Sequence, residues 1–170
     1  MKTVIREIRR SRVLDVMLFA AIIVGVLALL FYLPKPEPVE VSGAARVIDG
    51  DSIVVRGIEI RLLGIDAPEF AQRCSRDSRP WPCGAQAALN LRNRLRGRLV
   101  SCAGHERDVH GRLLAVCKVG SEDINRWAVE QGWAVSYDDY PGAERIARAA
   151  KRGIWSGTFL RPRDWREENR

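Results

Sequence analysis

Nine residues, Arg61-Leu-Leu-Gly-Ile-Asp-Ala-Pro-Glu69, put one guanidinium and two carboxylates into a single short run. That set suits a place where a phosphate meets a hard cation, because carboxylates hold the metal and a planar arginine fork grips the anion. Ile58, Ile60 and Leu62 alternate with Glu59, Arg61 and Leu63, which predicts a half-buried strand with Arg61 and Leu62 on opposite faces. Gly64 relaxes the end of that strand and Pro68 forbids its continuation inside a sheet. Asp66 and Glu69 are therefore expected on a fixed turn beside it. A salt-bridged strand end would carry the same three charges. Two further stretches favour a site: the acidic turn Val47-Ile-Asp-Gly-Asp-Ser52 upstream and Asp108-Val-His-Gly-Arg112 downstream.

Together the three stretches resemble the staphylococcal nuclease-like (thermonuclease) family. Its pattern is a D-G-D-T turn, an R-x-x-x-x-D-x-P-E run and a D-x-Y-G-R hairpin, and the likeness extends from about Ala44 to Trp155. The resemblance implies that Asp51 and Asp66 bind Ca2+ through their carboxylates and that Ala67 offers its backbone carbonyl, where the best-known member has threonine. Asp49 matches an acid behind these ligands. Glu69 matches the proposed general base for the attacking water, and Arg61 and Arg112 match the guanidiniums that grip the scissile phosphate. The implied activity is calcium-dependent hydrolysis of phosphodiesters in DNA or RNA. A cation and two bidentate arginines would oppose the charge growing at phosphorus more strongly in the transition state than before it. Oxygen-only ligands suit calcium better than zinc. The chain departs from the pattern at Val109 and His110, where the best-known member has Lys and Tyr associated with nucleotide binding, and at Ser52, where it has threonine.

Several elements must position these groups. Ala44–Asp49 and Ser52–Arg56 read as strands around Asp49-Gly50-Asp51, and a third strand follows at 58–64. An insert at 70–82 is bounded by Cys74 and Cys83. Gly84–Arg96 reads as an amphipathic helix with Ala88, Leu91 and Leu95 on one face. Arg98–Ala103 and Arg112–Val119 read as a hairpin closed by 105–111. A helix capped by Ser121 runs to Gly132 with Ile124, Trp127 and Ala128 on one face. A last helix from Pro141 to Gly153 would turn Ile146, Ala149 and Ala150 inward. Five strands with a helix between the third and fourth predict a five-stranded OB-type β-barrel, in the α+β class. The resemblance implies the same barrel with about three helices.

Ahead of this domain lies an uncharged run from Val16 to Leu33. At 1.5 Å per residue it makes roughly 27 Å of helix, close to the ~30 Å hydrocarbon core. The basic stretch 1–15 is expected to stay cytoplasmic, with 16–33 an uncleaved transmembrane anchor. A cleaved secretory signal, leaving a secreted protein, is the rival reading, but Phe-Tyr-Leu-Pro offers no small-x-small site. Residues 34–42 are proline-rich and read as an extended spacer, 43–156 as the barrel domain, and 157–170 as a basic aromatic tail without an assigned site.

Net charge is +7 overall; Lys2, Arg6, Arg9, Arg10 and Arg12 against Glu7 and Asp15 give 5 − 2 = +3 within 1–33, leaving 7 − 3 = +4 for the rest. A moderately basic, arginine-rich domain suits nucleic acid as partner. Four cysteines allow three pairings. A hairpin symmetric about the Val109 region would put Cys102 opposite Cys117, and Cys74 and Cys83 would close the insert. Disulfides fit an oxidising compartment, periplasmic or extracellular; a zinc site lacks a C-x-x-C or a histidine pair. Two other functions stay open: a barrel that binds nucleic acid without cutting it, and an envelope protein held by its anchor and tail.

Overall fold

The main sheet takes its shape from where its two edges fall in the chain. In the computed structural model, residues 2–33, 37–137 and 139–169 are described, in two units, Met1–Pro36 and Glu37–Arg170.

The first unit is one helix, α1 (Lys2–Tyr32). Its stretch Leu14–Tyr32 has a mean hydropathy of 2.8 and buries none of its residues. A helix apolar on every face has no soluble partner surface of its own. By length and composition it could cross a membrane, and a signal sequence has the same character. The expected segments 1–15 and 16–33 thus run through a single helix, and Pro34–Pro36 of the expected spacer lie outside the described residues.

The second unit begins with strands β1 (Val39–Gly43), β2 (Ala45–Val47), β3 (Ser52–Val55), β4 (Ile58–Leu62) and the two-residue β5 (Ile65–Asp66). A small hairpin, β6 (Cys74–Arg76) and β7 (Arg79–Trp81), precedes α2 (Cys83–Leu95). Then come β8 (Val100–Arg107), β9 (Leu113–Val119), β10 (Glu122–Asp123), α3 (Ile124–Glu130) and β11 (Val135–Ser136). The chain ends with α4 (Pro141–Ala149), a 3-10 turn (Gly153–Ser156) and α5 (Pro162–Glu168).

The main sheet runs β1-β8-β9-β4-β3-β2, with β10 on β9. The first and last strands of that order are neighbours in the chain, separated by Ala44 alone. The sheet must curl until its edges approach, which gives the OB-type barrel. All five expected strands are present as β2, β3, β4, β8 and β9. Ile53, Ile60, Leu62, Val100 and Leu113 fill the barrel, and α2 seals it with Ala88, Leu91 and Leu95 while α3 adds Ile124, Ala128 and Val129. Burying an aliphatic side chain of this size is worth roughly 1.5–3 kcal/mol, so the strand positions that frame the site are strongly held.

Four expectations shift. Residues 39–42, read as spacer, belong to β1, because Val41 is buried opposite Cys102. The β8–β9 hairpin carries an irregularity between Ala103 and Glu106, so Cys102 faces Cys117 as a symmetric hairpin predicts, but toward the turn the register shifts by one and Arg107 faces Leu113. The cap of α3 is Asp123, whose Oδ1 accepts the Arg126 N–H at 2.9 Å, since residues 122–123 first pair with β9. On α4 the inward residues are Ala143, Glu144 and Ala147, while Ile146 is 43% exposed and Ala149 and Ala150 face solvent. A polar anchor sets that face: the Glu144 carboxylate accepts the Ser136 N–H at 2.6 Å and pairs with Arg148 and Arg161.

Both disulfides join the expected partners, Cys74 with Cys83 and Cys102 with Cys117. The tail is part of the unit: Ser75 and Thr158 exchange two backbone hydrogen bonds of 2.9 Å.

Candidate active site

The acidic turn between β2 and β3 is tied by its own first carboxylate, since Asp49 Oδ1 accepts the Asp51 N–H at 3.0 Å. Gly50 is required there by packing: a Cβ at this position would lie 2.6 Å from the Cβ of Ala67 and 3.0 Å from that of Ala87. The turn is thereby pressed onto the loop carrying Asp66, Ala67 and Glu69. Gly84, in the first turn of α2, does the same from the other side, where a Cβ would lie 1.7 Å from the Glu69 carbonyl oxygen.

Asp51 is 4% exposed. Its Oδ2 accepts the Ala67 N–H at 2.9 Å and its Oδ1 the Ser52 hydroxyl at 3.1 Å. Burial pushes its carboxyl up to about 7, against the opposing pull of Arg61 and with further upward pushes from Asp49 and Asp66. A buried acid in that condition is short of a cation. Asp66, equally buried, lies across from it, and Arg61 Nη2 bridges the pair at 2.8 Å to Asp66 Oδ1 and 3.4 Å to Asp51 Oδ2.

Register explains the convergence of the arginines. Ser52 faces Arg61 across β3–β4, and Ile60 faces Leu113 across the parallel β4–β9 pair, so Arg112 enters β9 beside the strand bearing Arg61. The buried Asn125 locks that junction, donating to the carbonyls of Leu63 (2.9 Å) and Ala115 (3.1 Å) and accepting the Cys117 N–H (3.1 Å). Asp108 orients Arg112 through contacts of 2.7 Å to Nε and 2.6 Å to Nη2. Burial raises the Asp108 carboxyl, but hydrogen bonds from the Arg112 side chain and from the amides of Arg112 and His110 outweigh it and hold it below the usual range. Arg112 Nη1 reaches the Ser52 hydroxyl at 3.4 Å, which links it to Asp51.

Arg61, Glu69 and Arg112 line one open cleft of about 830 Å³, whose wall also includes Val109 and His110. A second hollow of about 520 Å³, lined by Leu63, Asp66, Leu114 and Tyr137, adjoins it and shares Arg61. The anticipated set Asp49, Asp51, Arg61, Asp66, Ala67, Glu69 and Arg112 is therefore brought together. The four cysteines stand apart from it as braces.

One participant comes from the tail, to which the sequence assigns no site. Arg166 of α5 lines both hollows. Its Nη1 donates to Asp66 Oδ1 at 2.9 Å and to Glu69 Oε1 at 3.0 Å, and its Nη2 donates to Asp66 Oδ2 at 3.1 Å. Burial lowers its affinity for a proton, but the bonds to the two acids more than reverse that, so it stays charged. The tail's basic character was visible in the sequence. Which arginine reaches which acid depends on how the tail crosses the barrel, which no local pattern encodes.

Among the described residues, no group of three or more His, Cys, Asp or Glu side chains forms a metal cluster. A hard cation that keeps most of its waters needs fewer, and the oxygen-only set of Asp51 and Asp66 fits such an ion. Guanidiniums already meet both acids, Arg61 at Asp51 and Asp66 and Arg166 at Asp66.

A family model described as staphylococcal nuclease homologue matches residues 59–157. That segment includes Arg61 through Arg112 but not the Asp49–Ser52 turn or α5. The chain is 37% identical over 128 residues to succinoglycan biosynthesis protein ExoI of Rhizobium meliloti, covering 70% of this chain and 65% of the relative. It is 34% identical over 122 residues to an uncharacterized endonuclease of Escherichia coli O157:H7, covering 65% of this chain and 74% of the relative. It is 32% identical over 127 residues to a probable staphylococcal-like nuclease, CAN2, of Oryza sativa, covering 71% of this chain and 32% of that longer protein. The match thus spans just under two thirds of the first relative and a third of the last.

Proposed function

The chain belongs to the staphylococcal nuclease family, and from that premise we propose that it is a calcium-dependent nuclease that hydrolyses phosphodiester bonds in DNA or RNA. The single observation that carries this reading is the meeting of Arg61, Glu69 and Arg112 on one cleft, with Arg61 bridging from it to the buried pair Asp51 and Asp66.

Asp51 and Asp66, with the Ala67 carbonyl, would hold the ion, and Asp49 would keep the turn closed behind them. When bound, calcium supplies positive charge beside the scissile phosphate and a polarised water. Arg61 and Arg112 bind the phosphate as paired forks, Arg112 with its plane set by Asp108. Their contacts strengthen as negative charge spreads over the phosphoryl oxygens, which lowers the barrier rather than merely tightening binding. Glu69 stands on the same cleft, where its carboxylate can take the proton of the attacking water.

A second reading has a specific observation behind it. Glu69 is bonded to Arg166, and a base so engaged suits a barrel that binds nucleic acid without cutting it. Digestion of labelled single-stranded DNA by residues 37–170, with calcium and with chelator, separates the two. Cutting that needs calcium supports the nuclease; a retarded but intact band supports the binding module.

The apolar helix Leu14–Tyr32 and the two disulfides support placement on a membrane, with the amino terminus cytoplasmic and the barrel in an oxidising compartment. Release of the mature barrel by signal cleavage is the alternative. Carbonate extraction of membranes, followed by protease treatment of intact cells, distinguishes them.

A further inference from the structure

We infer that α5 is an autoinhibitory latch: Arg166 serves as a tethered cation on Asp66 and Glu69, and a divalent ion must displace it to enter the site. The inference rests on the cation-binding reading of Asp51 and Asp66. It assigns to the tail a control over that site.

Arg166 differs from an ordinary surface arginine in what it contacts. On the same helix, Arg163 pairs with Glu167 one turn away, with both side chains more than half exposed; such pairs contribute little. Arg166 instead makes three charge-assisted bonds to acids about a hundred positions earlier in the chain, and the Asp66 side chain is only 5% exposed. Both oxygens of Asp66 are engaged, Oδ1 by Arg61 as well. A metal ion needs those same lone pairs. Ion and guanidinium therefore compete for one carboxylate, and any stability of the latched state is subtracted from the ion's apparent affinity.

The path of the tail is set before it reaches the site. The Cys74–Cys83 disulfide, Val135 and Ile154 form a small second core against which Trp81, Trp155 and Phe159 pack, with Trp155 and Phe159 edge to face at 4.9 Å. Next, Thr158 pairs with Ser75. Gln72, fully buried, then donates from Nε2 to the Leu160 carbonyl at 2.8 Å while its Oε1 accepts the Glu69 N–H at 3.3 Å. Pro162 is buried and starts α5, which delivers Arg166 onto the acids. The insert thus acts as the clasp and α5 as the bolt, with Gln72 touching both the clasped tail and the loop of the proposed base.

The test compares the full-length chain in detergent micelles with Arg166→Gln and Arg166→Lys, titrating calcium into each by calorimetry. A latch shut in about nine molecules of ten weakens apparent affinity about tenfold. Arg166→Gln is expected to bind calcium about tenfold more tightly than the wild type, and Arg166→Lys, which keeps the charge but loses the fork, to fall between. Equal or weaker binding by Arg166→Gln overturns the latch. Should Arg166→Gln fail to fold, affinity in Arg166→Lys no higher than the wild type overturns it equally. Flat isotherms for every protein would refute the cation site itself and the latch with it, an outcome distinct from equal affinities.

Discussion

Two parts of this molecule supply charge to the same cleft and are held by different physics. Asp51, Arg61, Asp66 and Arg112 stand on or beside strands of the barrel, where cross-strand register and a buried core leave them little freedom. Arg166 arrives on a seven-residue helix clasped by a hairpin, one disulfide and a handful of hydrogen bonds. The first group is fixed with the fold. The second can leave without unfolding the barrel, because the tail's anchors lie outside the main core. A catalytic apparatus belongs on the rigid part, and a device meant to move belongs on the weakly held part.

The largest effect should come from the barrel. Arg112→Ala is expected to lower the rate on single-stranded DNA by roughly 10²- to 10³-fold, and Glu69→Gln by roughly 10²- to 10⁴-fold, with little change in urea midpoint. Near-normal rates in either variant would move the chemistry away from the strands.

The two disulfides sharpen the contrast. They close loops of similar length, with sequence separations of 15 and 9, so chain entropy alone credits each with about 3 kcal/mol. What they enclose differs. Cys102 and Cys117 face each other inside the main core, whereas Cys74 and Cys83 brace the clasp. Replacing the Cys102–Cys117 pair by alanines should lower stability by about 2–4 kcal/mol in urea titration and leave calcium affinity nearly unchanged. Replacing the Cys74–Cys83 pair should cost less stability and raise calcium affinity. If the two double variants behave alike, the division into rigid barrel and releasable tail is wrong.

Much of the barrel half was legible in the sequence because its signals are local. Alternation at 58–63 located the strand bearing Arg61, the Asp49-Gly50-Asp51 turn located the buried acid, and hairpin symmetry paired Cys102 with Cys117. The failures have physical causes too. Residues 39–42 follow a proline-rich stretch and read as spacer, yet they are recruited by pairing with β8, a partner some sixty residues away. The inward face of α4 is set by Glu144 reaching the Ser136 amide, so ranking residues by hydrophobicity chose Ile146 and missed the buried acid. Arg166 has no local signature, since its role exists only where the tail crosses the strands.

A graded effect of pH should separate the barrel's own acid from the tail. Burial raises the Asp51 carboxyl from 3.8 to about 7. Between those values the folded chain holds a proton that the unfolded chain has released, so stability of the chelator-treated protein should fall as pH rises through that window. Asp51→Asn should flatten this dependence, and Arg166→Gln should leave its position in place. Urea midpoints between pH 4.5 and 8 provide the measurement; an unchanged slope in Asp51→Asn would place the titrating group elsewhere.

The smallest expected effect on calcium affinity is also the most discriminating, because it tests the clasp without touching a charge. Gln72 is fully buried and bonds the Leu160 carbonyl on one side and the Glu69 amide on the other. Methionine fills nearly the same volume without either bond, leaving one carbonyl and one amide unsatisfied at a cost of about 1–3 kcal/mol each. Gln72→Met should therefore lower stability about as much as loss of a disulfide does, read as a shifted urea midpoint. If docking of the tail holds Arg166 on the acids, calcium affinity should rise toward that of Arg166→Gln even though every ionic group is intact. If the three bonds of Arg166 suffice by themselves, the calcium isotherm of Gln72→Met should overlay the wild type, and the latch would be a salt bridge that needs no clasp.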